Sequence, residues 1–557
     1  MMRFLPVLLT GCSCIHAAQP VRARQAMVVS RETHATDAGV AVLKAGGNAI
    51  DAAVAVGFAL AVTHPSAGNL GGGGFMLVRF ADGRTTFVDF RERAPGKASR
   101  DMYLGKDGKP TRDSVVGWRA SGVPGTARGL ELAHKKYGSK PWRELVEPAV
   151  GLARDGFAVS YGLSRGLRGV ESLPRFAESK RIFLKGGAYY EAGETFKQPE
   201  LAATLGRIAA KGASDFYEGE TARRLAKEMA AGGGLVTLED LKAYTAVERT
   251  PVEGDYRGYH FITAPPPSSG GIGMLQMLGV LEKTDYEKSG AGSARAIHFA
   301  AEAMRRYYAD RSEYLGDPDY FKTPLRQLID RRYLDKLRSS IDPMHATPSG
   351  DVKPGELKMY ESTETTHYSI VDKAGNAVAV TYTLNGSYGS GVTVPGLGFL
   401  LNNEMDDFSV KPGHPNMFGV IGGVANAIEP GKHPLSSMTP TIVLKGGKPY
   451  LVVGTPGGSR IITSVMETIM NVLDFKMNIQ DAVNYPRFHH QWQPDMLYVE
   501  PGISPDTRAL LDKMGHKVEI SRSICEMAAI QFEENETGKK WLAGAADPRT
   551  EGKAAGY

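Results

Sequence analysis

Cysteine is almost missing from these 557 residues. There are three, and two of them, Cys12 and Cys14, fall within the first fourteen. Cys525 stands alone in the body of the chain, so no disulfide framework can brace it. Such a chain either stays in a reducing compartment or is exported and large enough to need no staples. Long apolar runs are missing too. The longest, Ala52 to Val62, contains Gly57 and falls short of the ~18 uninterrupted residues of a membrane span. Charge of one sign is not in excess. The 66 Lys+Arg against 61 Asp+Glu leave +5, with no basic block, so nothing suggests a nucleic-acid partner. Several chemistries lack their signatures. There is no G-x-x-x-x-G-K-[ST] for phosphate, no H-E-x-x-H for zinc and no G-x-S-x-G elbow. Gly71 to Gly74 follow a helical segment and precede a strand, the wrong order for a dinucleotide loop. His489-His490 are sequence neighbours that point apart, which suits packing better than metal binding.

What is present is a globular composition. Hydrophobic residues make up 42%, enough for a sizeable core. At ~150 residues per domain the length suggests three to four domains, unless the chain folds as one large unit. Glycine, at 66 residues, is about 12% against a usual ~7%, and it falls in short runs that read as tight turns. The first eighteen residues read as a signal peptide. Arg3 supplies the positive start, Phe4 to Leu9 the short apolar core, and Ala17-Ala18 a cleavage site. Leu9-Thr10-Gly11-Cys12 also resembles a lipoprotein box, with Cys12 as the lipid acceptor. Export is the expectation, to the periplasm or the outside.

Residues 35–64 read as two helices broken at Gly46-Gly47, the second apolar nearly all round and therefore buried. Phe75 to Phe80 and Thr85 to Asp89 form a strand pair. Residues 120–235 are mostly helical. Ala294 to Leu315 reads as a long amphipathic helix. Ser339 to Glu364, rich in Pro, Gly and Ser, reads as a mobile loop or linker. A regular hairpin follows: Thr366 to Asp372, a turn at Lys373 to Asn376, then Ala377 to Thr383. Pro440 to Leu444 and Tyr450 to Val453 make another strand pair. Arg460 to Asp474 is a helix with Ile461, Val465, Ile469 and Val472 on one face. Helices mixed with mainly antiparallel strands suggest stacked layers rather than a doubly wound parallel sheet.

The chemistry gathers in the last third. Glu364-Thr365-Thr366-His367 stands where the loop meets the hairpin. Downstream come Thr381 to Gly386, Leu401 to Phe408, Pro434 to Pro440 and Gly454 to Arg460. With Asn69 to Gly74, Asp89 to Glu92, Pro265 to Gly271, Asp547-Pro548-Arg549 and Gly556-Tyr557, these motifs closely resemble the γ-glutamyltransferases, which are N-terminal-nucleophile hydrolases. The resemblance runs from Val28 to Tyr557.

It implies a four-layer αββα sandwich, two antiparallel sheets between helix layers, and no metal or organic cofactor. It implies a precursor that cuts itself between Glu364 and Thr365. Residues 25–364 would be the large subunit and 365–557 the small one, intertwined as one folding unit. The freed Thr365 would be the nucleophile. Its own α-amino group, with a pKa of ~7.7–8.0, could take the hydroxyl proton. A hairpin would bring Thr383 across from Thr365, and by resemblance its hydroxyl assists. Gly457-Gly458, at the mouth of the Arg460 helix, offer unshielded N–H groups to an oxyanion. The glutamyl end of the substrate is a zwitterion. Arg91 would pair with its carboxylate, where a guanidinium fork suits two oxygens, helped by Ser436 and Ser437. Asn385, Glu404 and Asp407 would hold its ammonium. The implied donors are glutathione and other γ-glutamyl amides, and the acceptors are water, amino acids or dipeptides.

One residue departs from the family pattern. Pro412 to Gly423 resembles a lid loop whose aromatic residue is commonly tyrosine, and here it is Phe418, which has no hydroxyl to offer Asn385. Two other readings stand beside this one. A glutaryl (cephalosporin) acylase or poly-γ-glutamate-processing relative would share the machinery, although a glutaryl group would leave Glu404 and Asp407 idle. An inactive scaffold would not need Thr365, Thr383 and Gly457-Gly458 together.

Overall fold

Fifteen consecutive buried residues, Ala49–Thr63, form the central helix of one outer layer. Their small and apolar side chains allow burial on every side. The start is fixed by a capping box. Asn48 accepts from the backbone of Ile50 and Asp51, and Asp51 accepts from Asn48 in return. The computed structural model describes residues 18–355, 366–411, 413–422, 424–534 and 537–557. Residues 1–17, Cys12 among them, and both Glu364 and Thr365 lie outside these.

Two seven-stranded antiparallel sheets lie between the helix layers. Across the first sheet the order is Lys553–Gly556, Met27–Ser30, Thr366–Val371, Ala377–Thr383, Gly73–Arg79, Thr85–Phe90 and Val247–Arg249. Segments from before and after residue 364 are therefore interleaved as neighbours in one sheet. Across the second the order is Val21–Ala23, Lys540–Ala546, Ala528–Glu534, Lys448–Gly454, Thr441–Lys445, Tyr259–Thr263 and Val252–Tyr256.

The period of two along each strand assigns side chains to layers. In the first sheet Val28, Met76, Val78, Ile370, Val378 and Val380 pack with the Ala49–Thr63 helix. Their alternates Met27, Val29, Phe75, Leu77 and Ala379 share a second core with Ile442, Leu451 and Val453 of the facing sheet. That core continues to the helices Gly270–Leu281, Ala294–Tyr314 and Arg460–Leu473. The expected four-layer αββα sandwich is the one observed.

Two expectations need correction. The Ala294–Tyr314 helix is not amphipathic in its environment: most of its polar residues are buried as well. Glu302 binds both Arg305 and Arg306, and Thr347 donates to it at 2.7 Å. Gln276 and Tyr333 donate to Asp310. The charges face other charges instead of water, which a period count cannot reveal. The second concerns residues 339–355, the described part of the segment 339–364 expected to be a mobile loop or linker; 356–364 lie outside the described residues. They are pinned along their length. Ala346 N–H donates to the Met514 carbonyl, Ser349 Oγ to Asp495 at 2.6 Å, the Trp492 indole to the Ser349 and Val352 carbonyls, and Gly355 N–H to Asp310. Pro and Gly here shape turns rather than loosen them. His489 bonds to Thr463 and Gln491, and His490 to Asp495.

Removing the Asn48 cap tests the account of the outer helix. Asn48→Ala loses two accepted N–H groups and the bond from Asn48 Nδ2 to the Tyr137 carbonyl. It should lower stability by about 1 kcal/mol, seen as a lower urea midpoint at unchanged fold.

Candidate active site

The hairpin runs as expected, Thr366 opposite Tyr382 and His367 opposite Thr381, and it ends at Thr383. The glycine run explains how Thr383 is held. Gly73 pairs with Thr383 and Gly74 with Tyr382. A Cβ on Gly72 would collide with the Thr383 carbonyl, and one on Gly74 with Tyr382. The run exists for this close backbone approach. Asn69 Nδ2 donates to the same carbonyl at 2.7 Å, while Gly72 N–H and Thr126 Oγ1 donate to Asn69 Oδ1. The chain then turns sharply. Asn385, at φ 72°, donates its N–H to Thr383 Oγ1 at 2.7 Å and its amide to the Asn403 carbonyl at 2.9 Å.

Asn385, Phe418, Gly457 and Gly458 line one polar cavity of about 600 Å³. Phe418 stands on a loop tightened by Asn416, whose side chain accepts from Phe418 N–H at 3.0 Å and Val420 N–H at 3.2 Å. Gln491 holds the Phe418 carbonyl at 3.2 Å. Asn385 Oδ1 is buried and has no hydrogen-bond partner among the described residues. This is the position at which the sequence predicted a missing hydroxyl.

Gly457 and Gly458, at φ 132° and 70°, precede the N-cap Ser459 of the Arg460–Leu473 helix. A Cβ on Gly457 would collide with Cys525 Sγ. Cys525, for which the sequence offered no role, is buried against this turn, and burial pushes its thiol up to about 12. No histidine lines the cavity among the described residues. His367 lies between the sheets, bonded to Thr381 and Ser369, and burial lowers it to about 3.

Arg91, Glu404 and Asp407 do come together, but in a fully buried cluster beside the cavity, not on its wall. Arg91 pairs with Glu404 and with Asp407, and lies 3.7 Å from Glu92. Its Nε donates to the Pro434 carbonyl at 3.2 Å. Burial alone would lower the Arg91 pKa, yet the carboxylates of Glu404, Asp407 and Glu92 hold it above its usual range. Three carboxyls share this guanidinium. Burial raises Glu92 to about 7 and Glu404 well above the usual carboxylate range, with Arg91 opposing both shifts. Ser436 and Ser437 are buried here too. Arg311 donates to Ser437 Oγ at 2.5 Å and to Ser269 Oγ at 2.7 Å. Arg311 was not foreseen, because nothing in a helical sequence marks one arginine as facing a loop 126 residues away.

Asp406, next to Asp407 on the turn Glu404–Asp407, was also missed. Its carboxyl accepts Ser114 Oγ at 2.8 Å and Met417 N–H at 3.1 Å, tying the Phe418 loop to the turn. Burial pushes it up to about 6 against those two hydrogen bonds.

The layer order and this site define a class of protein. A solved cephalosporin acylase from Bacillus halodurans superposes with a TM-score of 0.86 at 26% identity, covering 100% of this chain and 99% of that one. The fold is that of the N-terminal-nucleophile hydrolases. Within the class, the family profile described as Gamma-glutamyltranspeptidase matches residues 35–557, and the chain belongs to that family. It is 53% identical to a glutathione hydrolase proenzyme of Escherichia coli (strain K12), over 97% of this chain and 93% of that protein. The Helicobacter pylori γ-glutamyltranspeptidase structure matches with 44% identity and a TM-score of 0.58, over 62% of this chain and 98% of that one.

Two measurements test the geometry. Gly457→Ala should cut kcat by roughly 10²–10³-fold, the effect of misplacing an oxyanion donor, in a protein that still folds. Asp406 gives a stability signature. The unfolded acid titrates near ~3.9 and the folded one at about 6, so folding favours the protonated form. Its contribution is full below the unfolded value and is lost as pH rises through the folded one. The Tm of wild type minus that of Asp406→Asn should therefore fall between about pH 4 and 6 and level off above. A flat difference curve would refute the assignment.

Proposed function

We propose that this chain is a self-processing γ-glutamyl transpeptidase and hydrolase acting on glutathione and related γ-glutamyl amides. The observation that carries the proposal is the convergence of Asn385, Phe418 and the Gly457-Gly458 turn around one polar cavity, with Asn385 N–H bonded to Thr383 at the end of the hairpin that Thr366 begins. Thr365, one residue before that hairpin, is the nucleophile. In the precursor its hydroxyl attacks the Glu364 carbonyl; the C–N bond to Thr365 breaks and frees the threonine amine, and water then hydrolyses the ester, releasing the Glu364 carboxylate and restoring the hydroxyl. That amine has a pKa of ~7.7–8.0, near working pH, and serves as the base for the next attack. Thr383 supports the hydroxyl.

The γ-carbonyl of the donor sits at Gly457-Gly458, whose N–H groups and helix N-terminus stabilise the developing oxyanion. The α-carboxylate goes to Arg91, with Ser436 and Ser437, and the ammonium to Asp407, Glu404 and Asn385. A zwitterion adds one charge of each sign, so it can trade partners with the Arg91–Asp407 pair without leaving an uncompensated buried charge. A glutaryl donor lacks the ammonium and would leave an anion short of a partner. The released amine departs, and water or an amino acid or dipeptide takes the acyl group.

The leader-like residues 1–18 support export to the periplasm or outside, with Cys12 as a candidate lipid site. Among the described residues no helix is long and apolar enough to cross a membrane.

Mass spectrometry under denaturing conditions tests the processing step. Residues 365–557 number 193 and should appear as a chain of roughly 21 kDa, scaled from 60.0 kDa for the whole. Thr365→Ala should stay uncut and release no p-nitroaniline from γ-glutamyl-p-nitroanilide. Processing and turnover in that variant would overturn the mechanism. Phe418→Tyr offers a hydroxyl to Asn385 Oδ1. One added hydrogen bond should change the donor KM or the hydrolysis-to-transfer ratio by about two- to tenfold, with Tm nearly unchanged.

A further inference from the structure

The cavity extends beyond what an acyl centre requires. Past Asn385 and the Gly457-Gly458 turn its wall carries two guanidinium groups, Arg31 and Arg460, and one carboxylate, Glu526. Arg31 directly follows the strand Met27–Ser30 of the first sheet. Glu526 lies just before the strand Ala528–Glu534 of the second, with its N–H held by Thr455 Oγ1 at 2.9 Å. The two side chains form an ion pair that joins the sheets at the cavity wall, one 25% and the other 20% accessible. Arg31 makes no other ion pair or hydrogen bond among the described residues. Arg460 is committed elsewhere: its guanidinium lies 5.1 Å from the centre of the Tyr498 ring and donates to Ser521 Oγ at 3.1 Å. With two cations to one anion, the wall favours an anionic group on whatever occupies it.

In transfer, the acceptor's amine nitrogen bonds to the γ-carbonyl carbon and the ester C–O bond to Thr365 breaks. The amine's proton passes to the threonine oxygen, restoring the hydroxyl. With the nitrogen placed at the acyl carbon, the acceptor's carboxylate must lie further along the cavity. Water, the other acceptor, has no such group.

We propose that Arg31, poised by Glu526, forms the subsite that selects acceptors with a free carboxylate, namely amino acids and short peptides. The proposal rests on the γ-glutamyl transfer reading above and adds the specificity of its second half-reaction. Arg31 acts on choice of acceptor, not on the acyl chemistry.

The experiment uses the mature enzyme with γ-glutamyl-p-nitroanilide as donor and glycylglycine or glycylglycinamide as acceptor. These two acceptors share an ammonium and differ in the carboxylate. Hydrolysis without acceptor reads the acyl chemistry separately. If wild type releases no p-nitroaniline, the reading of the whole site fails and this proposal with it. If it does, the acceptor comparison decides alone. Wild type should show a KM for glycylglycine about tenfold below that for glycylglycinamide. Arg31→Gln should raise the glycylglycine KM about tenfold and erase the preference, with hydrolytic kcat/KM unchanged, and Arg31→Lys should restore part of it. Glu526→Gln, which leaves Arg31 unpaired, should lower the glycylglycine KM. It also keeps the test open should Arg31→Gln not fold. No preference in wild type, equal shifts for both acceptors, or hydrolysis falling in step would overturn the proposal.

Discussion

The site depends on one close approach of two backbones. Gly72, Gly73 and Gly74 let the strand Gly73–Arg79 lie against Tyr382 and Thr383 with no side chain between them, and Asn69 locks the Thr383 carbonyl from the other side. Everything downstream takes its position from there. The turn at Asn385, the tie from Asn385 to Asn403 and the short helical turn Glu404–Asp407 follow in sequence, each hydrogen-bonded to the one before. A side chain at Gly72 would displace a carbonyl that two layers of structure use as a reference. Such a site tolerates little error, since a misplacement of about 1 Å in a catalytic group can cost on the order of 100-fold in rate.

Several ion pairs of this molecule are wholly internal. Arg91 with Glu404 and Asp407, Glu302 with Arg305 and Arg306, and Arg487 with Asp547 are all buried. Buried pairs contribute little net stability but penalise every arrangement in which one partner is stranded. They fix which loop meets which helix. Among these, the Arg91 cluster has more carboxyls than guanidinium groups, which leaves it open to an ammonium brought from outside.

Where local physics was sufficient, the elements could be read from the sequence. The 366–383 hairpin has strict alternation and a four-residue turn. The Ala49–Thr63 helix has a cap and no polar face. The four-layer arrangement and the residues of the site came from the resemblance of whole motifs. What escaped was set by contacts distant in sequence. The polar face of Ala294–Tyr314 looked like a solvent face because its partners lie in loops 340–355 and 490–495. Residues 339–355 looked like a linker because their anchors, Met514, Trp492 and Asp495, follow far downstream. Cys525 carried no signal, since its meaning is the absence of a side chain at Gly457. The separation between the cavity and the buried Arg91 cluster could not be inferred either: spacing along the chain says which residues gather, not which of them face open space.

The interleaving of strands in the first sheet has a kinetic consequence. Thr366–Val371 sits between Met27–Ser30 and Ala377–Thr383, so segments on either side of the proposed cut are laced together. Before the cut the chain folds as one molecule, and each segment finds its neighbour at a concentration set by its tether. After it, the denatured state is two molecules and refolding becomes a bimolecular search between fragments that each expose half a sheet. Maturation of this kind ratchets the fold. The mature protein would persist by the slowness of its unfolding, and its thermal transition would depend on protein concentration and scan rate, not on a reversible balance.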